Sequence, residues 1–163
     1  GAVDLRPPRD AVADGSNREA RDAMALAAYY AGIAINQVNV GNVHAIAHQI
    51  GGKYGIPHGL ANSLVLPHVL NFCRTESEQE LAELAVLAGV GEAGQDTARL
   101  AGQFIDAVVQ LRADVGMPET SDRIRPQDYG YLTDLALKEC ESYPVPKLLE
   151  RDPTLAILRA ITA

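Results

Sequence analysis

Tryptophan is absent from the sequence, and aromatic residues make up only 5% of its 163 positions. A chain that is poor in aromatic residues and rich in alanine and leucine is typical of a helical protein rather than a β-sandwich or a barrel. The two cysteines, Cys73 and Cys140, are too few for a disulfide framework, so we expect free thiols. The chain is long enough for one aliphatic core, and a single domain over residues 1–163 is expected.

Basic residues are scarce as well. The sequence has 14 Lys and Arg against 21 Asp and Glu, which gives a net charge of −7, and its basic residues are scattered. This pattern argues against nucleic acid as a partner and disfavours anionic membranes. No apolar run approaches the roughly 18 residues that span a bilayer, and the first fifteen residues lack the apolar segment of a signal peptide. We therefore expect a cytoplasmic protein.

The spacing of apolar residues, glycines and prolines predicts an all-α fold without strands. The opening GAVDLRPPRDAVADG predicts an irregular lead-in that ends at a helix cap, Ser16 or Asn17. Pro67 is expected to kink or distort the helix that contains it. The expected helices cover residues 18–36, 43–50, 60–73, 76–88, 95–115, 126–140 and 154–161.

The string GVGEAG, Gly89 to Gly94, matches the dinucleotide-binding fingerprint G-x-G-x-x-G. That fingerprint requires a preceding strand, whereas the preceding QELAELAVLA has a helical pattern. We therefore interpret these glycines as a stop between two helices.

Three of the four histidines, His44, His48 and His58, lie within fifteen positions. His44 and His48 share a helix face, with Cβ atoms roughly 5–6 Å apart, and the intervening glycines allow His58 to fold back. Neutral imidazoles suit iron, zinc, copper or nickel, so the spacing favours a metal or catalytic site over partly buried histidines that bond to backbone. It is not the H-E-x-x-H signature of zinc proteases, because Ala45 follows the first histidine. His68 is expected to be a core residue.

The segment GNVHAIAHQIGGKYGIPHGLANSLVLPHVLNF closely resembles the signature of the iron-containing (group III) alcohol dehydrogenases. Three further segments resemble other elements of that family, namely EARDAMALAAYYAGIAI, LRADVGMPET and ALKECESYPVP. The resemblance spans most of the chain. It implies a helical bundle like the C-terminal domain of these enzymes, within the dehydroquinate synthase-like superfamily.

The resemblance also implies roles for individual residues. His44 and His58 match two metal ligands, and His48 matches a histidine near the nicotinamide that takes part in catalysis or proton transfer. Cys140 matches a position bordering the substrate pocket. The implied reaction is reversible hydride transfer between an alcohol or aldehyde and NAD or NADP, with a divalent metal, iron(II) or alternatively zinc, as Lewis acid.

Members of the family are longer enzymes with an N-terminal α/β domain that binds NAD(P), and the resemblance implies that the full-length enzyme is a homo-oligomer, a dimer. Their remaining metal ligands are an Asp-x-x-x-His pair, yet residues 1–43 contain no histidine, and Asp4, Asp10 and Asp14 are not followed by one four residues later. We therefore expect a C-terminal portion that alone binds metal weakly or not at all. The sequence also departs from the family at Gln49, where proline is common, and at SYPVPK, residues 142–147, where an Asn-Pro-Arg turn is usual.

Two alternatives stay open. The chain is either the metal-binding and substrate-binding part of an alcohol dehydrogenase or a non-catalytic helical binding or assembly module that keeps the fold. Exposed apolar surface would favour the former, and a well-folded monomer with a polar surface the latter. A third interpretation is a zinc-using relative from the wider superfamily, such as a glycerol dehydrogenase or a maleylacetate reductase.

Overall fold

The computed structural model describes residues 5–163, which form α-helices joined by short loops and a 3₁₀ turn at Pro126–Asp128. Within this range there is no strand beyond one isolated bridge between Ser121 and Thr162. The expected all-α class is therefore confirmed. The helices are α1 (Arg6–Ala13), α2 (Arg18–Val38), α3 (Asn42–Tyr54), α4 (His58–Phe72), α5 (Glu78–Leu87), α6 (Thr97–Asp114), α7 (Tyr129–Cys140) and α8 (Arg151–Ala160).

These helices fall into two compact units. The first unit comprises the residues up to Val38 together with Ser77–Gly116, and the second comprises Asn39–Glu76 and Met117–Ala163. The expected single domain stays a prediction. In residues 5–163, each helix is too short or too polar to cross a membrane. The expected cytoplasmic location also stays a prediction.

In the first unit, the predicted irregular lead-in is wrong, because helix α1 occupies much of it. Its two prolines lie in the first turn, where a missing backbone N–H breaks no helical hydrogen bond. The predicted cap of α2 is confirmed, since Asn17 Oδ1 accepts a hydrogen bond from Ala20 N at 3.1 Å. Of the three aspartates near the start of the chain, Asp10 lies within α1 and Asp14 directly follows that helix. Asp4 lies outside the described residues.

The GVGEAG segment of the first unit joins α5 to α6, as interpreted from the sequence. Gly89 and Gly94 have φ angles of +68° and +91°, in the left-handed region that favours glycine. A Cβ atom at Gly91 would lie 2.3 Å from Leu100 Cδ2. Turn geometry and close packing thus account for the three glycines.

The second unit packs α3, α4, α7 and α8 around an aliphatic core. Helix α3 continues to Tyr54, four residues past the predicted end, and it ends at Gly55, whose φ is +64°. Helix α4 continues across Pro67, so the predicted kink there stays a prediction. The largest fully buried aliphatic side chains of this core are Ile46, Ile50, Leu64, Ile124, Leu132, Leu158 and Ile161.

Candidate metal and catalytic site

The turn between α3 and α4 brings three histidines together. His44 and His48 lie on α3, the left-handed Gly55 ends that helix, and His58 is the first residue of α4. The ring centroids are 5.5 Å apart for His44 and His48, 5.2 Å for His44 and His58, and 5.6 Å for His48 and His58. We call these three residues the histidine cluster. His68 is only partly buried on α4.

The surroundings of His44 favour the neutral form of its imidazole. Partial burial lowers the pKa of His44 below its usual value, the neighbouring His48 and His58 lower it further, and Glu139 acts in the opposite direction. A neutral imidazole offers a lone pair, which is the form that a metal ion binds. The environment of His44 therefore suits ligation.

His58 is oriented by Asn62, one turn further along α4. The amide Nδ2 of Asn62 donates to His58 Nε2 at 3.0 Å and to the His58 carbonyl oxygen at 2.9 Å. Asn62 Oδ1 is buried without a hydrogen-bond partner. An ion bound at His58 Nε2 would replace the first of these bonds.

A carboxylate from α7 completes the surroundings of His48. Glu139 Oε1 lies 2.6 Å from His48 Nδ1 and accepts from the Tyr143 hydroxyl at 2.5 Å, and Oε2 accepts from Gln49 Nε2 at 2.6 Å. Burial alone would raise the pKa of Glu139, but the hydrogen bonds from Tyr143 and His48 outweigh it and lower the pKa. Burial and the bond to Glu139 raise the pKa of Tyr143 to about 12.

Sequence reasoning missed Glu139. It lies 91 positions from His48, and local spacing cannot show which distant helix packs against α3. Glu139 lies in the ALKECESYPVP segment, directly before Cys140. That position was the sequence feature that could have indicated a role in the site.

Cys140 lies deeper than the histidine cluster. It is 1% exposed, and its thiol donates to Asn42 Oδ1 at 2.9 Å. Both cysteines are free, as expected, and burial raises the pKa of the Cys73 thiol. A role for Cys140 at the border of a substrate pocket stays a prediction.

The donor set fits part of a transition-metal site. His44 on α3 and His58 at the start of α4 supply nitrogen donors, and the lowered pKa of His44 favours its neutral form. Across residues 5–163, however, no group of three or more His, Cys, Asp or Glu side chains is arranged to hold an ion. His44 and His58 thus fit two positions of a metal site that needs further ligands.

Known proteins are similar in sequence to this chain. The family model described as "Fe-containing alcohol dehydrogenase family, C-terminal" matches residues 6–162. A 1,3-propanediol dehydrogenase of Klebsiella pneumoniae is 38% identical over 153 residues, which cover 93% of this chain and 40% of that protein. An NAD-dependent methanol dehydrogenase of Bacillus methanolicus is 42% identical over 108 residues, covering 66% and 28% respectively.

A solved structure is similar as well. The crystal structure of a 1,3-propanediol oxidoreductase superimposes with a TM-score of 0.90 at 38% identity, covering 95% of this chain and 41% of that one. The chain thus spans about two fifths of the length of the two 1,3-propanediol enzymes.

Proposed function

The chain belongs to the Fe-containing alcohol dehydrogenase family, and on that premise we propose that it forms the metal-binding and substrate-binding part of an NAD(P)-linked alcohol dehydrogenase. The observation that carries this proposal is the histidine cluster, whose three ring centroids lie 5.2 to 5.6 Å apart. Such convergence of imidazoles at one helix turn suits a catalytic metal site.

His44 and His58 are the proposed metal ligands. A bound divalent metal would supply a Lewis acid for the oxygen of the alcohol or aldehyde. His44 offers a neutral nitrogen because of its burial and its neighbours, and Asn62 orients the ring of His58. Iron(II) is the proposed ion, and zinc is chemically acceptable to the same nitrogen donors.

His48 is the proposed catalytic group, beside the nicotinamide. Its Nδ1 faces Glu139, so its Nε2 is the atom available to receive the proton that an alcohol loses on oxidation and to return it in the reverse reaction. The ring of His48 lies 5.5 Å from that of His44 and 5.6 Å from that of His58. His48 is therefore adjacent to both proposed metal ligands.

The remaining parts of the enzyme are proposed to lie in sequence beyond these 163 residues. They are the other metal ligands, an aspartate and a histidine, and the domain that binds most of NAD or NADP. The full protein is proposed to be a homodimer. Its substrate is proposed to be a small alcohol or aldehyde, since the relatives described above are dehydrogenases of 1,3-propanediol and methanol.

The test uses the full native chain that contains these residues, loaded with iron(II) without oxygen. We expect His44→Ala and His58→Ala to lower metal affinity by more than the roughly 10- to 100-fold that is typical of losing an outer partner of a ligand. His48→Ala should retain the metal and lower kcat for NAD(P)-linked alcohol oxidation by about 10²- to 10⁴-fold. Metal content by elemental analysis and NAD(P)H absorbance measure the two effects.

His68→Gln is the matched control, because it removes the fourth histidine and should leave metal content unchanged. Metal content near one per chain in both His44→Ala and His58→Ala would contradict the ligand assignment. A metal-loaded native chain that oxidises none of a panel of small alcohols would contradict the proposed activity.

A further inference from the structure

The carboxylate of Glu139 is held by three donors. Oε1 accepts from His48 Nδ1 at 2.6 Å and from Tyr143 at 2.5 Å, and Oε2 accepts from Gln49 at 2.6 Å. Gln49 is itself fixed to α3, because its Nε2 also donates to the Ala45 carbonyl at 3.0 Å. The carboxylate thus has little freedom to leave His48.

The donor and acceptor chemistry of this group sets the tautomer of His48. An ionised carboxylate can only accept, so the hydrogen between Glu139 and His48 belongs to Nδ1. Tyr143 donates its hydroxyl hydrogen to the same Oε1 at 2.5 Å, and its raised pKa, about 12, keeps that hydrogen on the tyrosine near neutral pH. The lone pair of a neutral His48 is therefore on Nε2.

We infer that Glu139, clamped by Gln49 and Tyr143, is a positioning residue that holds His48 in one ring orientation and in the Nδ1–H tautomer. The inference deepens the proposed function, because it states how the proposed catalytic histidine is prepared to accept a proton at Nε2. A carboxylate in this position orients an imidazole and stabilises the imidazolium that forms during proton transfer.

The clamp joins segments that are far apart in sequence. Gln49 lies 90 positions from Glu139, whereas Tyr143 lies four positions beyond it on the segment that follows α7. The packing of α7 on α3 therefore brings the two donors to one carboxylate.

The first measurement is ¹⁵N–¹H NMR of the imidazoles in the full native chain, prepared with Zn²⁺ so that iron does not broaden the signals. His48→Asn assigns the His48 signals. At a pH where His48 is neutral, the wild type should show Nδ1 protonated and Nε2 unprotonated. Glu139→Gln should give a mixture of tautomers or the Nε2–H form, because an amide can donate to Nδ1 as well as accept from it.

The second measurement is steady-state kinetics of the iron-loaded native chain. Glu139→Gln should lower kcat by about 10- to 100-fold with KM changed less than about threefold, and Glu139→Asp should recover part of the loss. Glu141→Gln is the control, since this exposed carboxylate follows on the same segment two residues later and should leave kcat unchanged. Thermal unfolding of each variant shows whether it is folded.

An unchanged His48 tautomer in Glu139→Gln overturns the inference, as does a fall in kcat no larger than that of Glu141→Gln. If Glu139→Gln fails to fold, Glu139→Ala carries the same two measurements, and an unchanged His48 tautomer in that variant overturns the inference. The NMR readout needs no turnover. A native chain with the expected tautomer but without alcohol oxidation would retain the positioning role and refute the proposed function.

Discussion

A single buried side chain, that of Asn42, joins three parts of the second unit. Its Nδ2 donates to the Lys147 carbonyl at 2.8 Å and contacts Cys73 Sγ at 3.6 Å, and its Oδ1 accepts from Cys140. Asn42 is 4% exposed at the start of α3, the helix that carries His44 and His48. This amide therefore ties the histidine-bearing helix to the segments that follow α4 and α7.

We expect Asn42→Ala to lower the free energy of unfolding by about 1–3 kcal/mol, because it leaves buried polar partners without their hydrogen bonds. Urea unfolding of the native chain measures the change. Asn71→Ala is the matched control, since Asn71 is exposed and its amide bonds only the Pro67 carbonyl of its own helix. It should change the free energy by no more than about 0.5 kcal/mol. Equal effects of the two substitutions would contradict the role of Asn42.

The histidine cluster was predictable from the sequence, whereas its carboxylate partner was not. His44 and His48 are one helical turn apart, and a glycine-rich turn directly precedes His58, so local geometry alone predicts their approach. The spacing left open which of the three bind metal, and that assignment came from the family resemblance and stays a prediction. Glu139 contacts His48 only because α7 packs on α3, and that packing depends on the whole core.

Among the helices, the turn from α3 to α4 depends most on one backbone conformation. Gly55 has φ of +64° and closes α3 by donating its N–H to the Gly51 carbonyl at 2.9 Å. Pro57 then precedes His58, the first residue of α4. The position of His58 beside His44 thus follows from a left-handed residue between the two helices.

Gly55→Ala should lower the free energy of unfolding by about 1–2 kcal/mol, because a Cβ atom disfavours the left-handed region. No atom lies within 4 Å of the added Cβ, so this strain is the whole expected effect. Gly52→Ala is the control within α3, where open space also surrounds the Cβ and alanine should stabilise the helix by about 0.5–1 kcal/mol. Chemical denaturation of both variants should give changes of opposite sign. A stabilising Gly55→Ala would contradict the assigned conformation.

Helix boundaries were predicted less well than helix positions, and glycine and proline explain the errors. Helix α1 was missed because Pro7 and Pro8 are strong breakers in a helix interior but compatible with a first turn. Helix α3 extends through Gly51 and Gly52 because packing of its apolar face outweighs their weak helix propensity. The Asn17 cap and the glycine turn between α5 and α6 were predicted correctly, because each depends on a local conformational preference.

Among residues 5–163, helix α2 carries more exposed large apolar side chains than any other helix. Ala20 is the only one of its residues that is buried. Large apolar side chains along the helix are 37 to 65% exposed, namely Met24, Leu26, Tyr29, Tyr30, Ile33, Ile35 and Val38. Four of them, Leu26, Tyr29, Tyr30 and Ile33, share one face of the helix, and an exposed apolar face of this kind is unusual for a monomeric soluble protein.

The 163-residue chain produced alone should therefore bind the hydrophobic dye ANS and self-associate, as measured by fluorescence and by light scattering. Replacing Tyr29 and Ile33 with lysine should lower both signals, because each substitution puts a charge within the exposed apolar row of α2. Leu148→Lys is the control, since Leu148 is 60% exposed but lies outside α2. It should change neither signal appreciably.

The result also separates the two functional alternatives. A chain that is one part of a larger dehydrogenase leaves apolar surface uncovered when produced alone, whereas a free-standing module has no reason to expose so much of one helix. Circular dichroism must show the chain helical in the same solution, so that dye binding reports the α2 surface and not an unfolded state. A helical, monomeric chain that does not bind the dye would favour the free-standing module and weaken the proposed enzyme assignment.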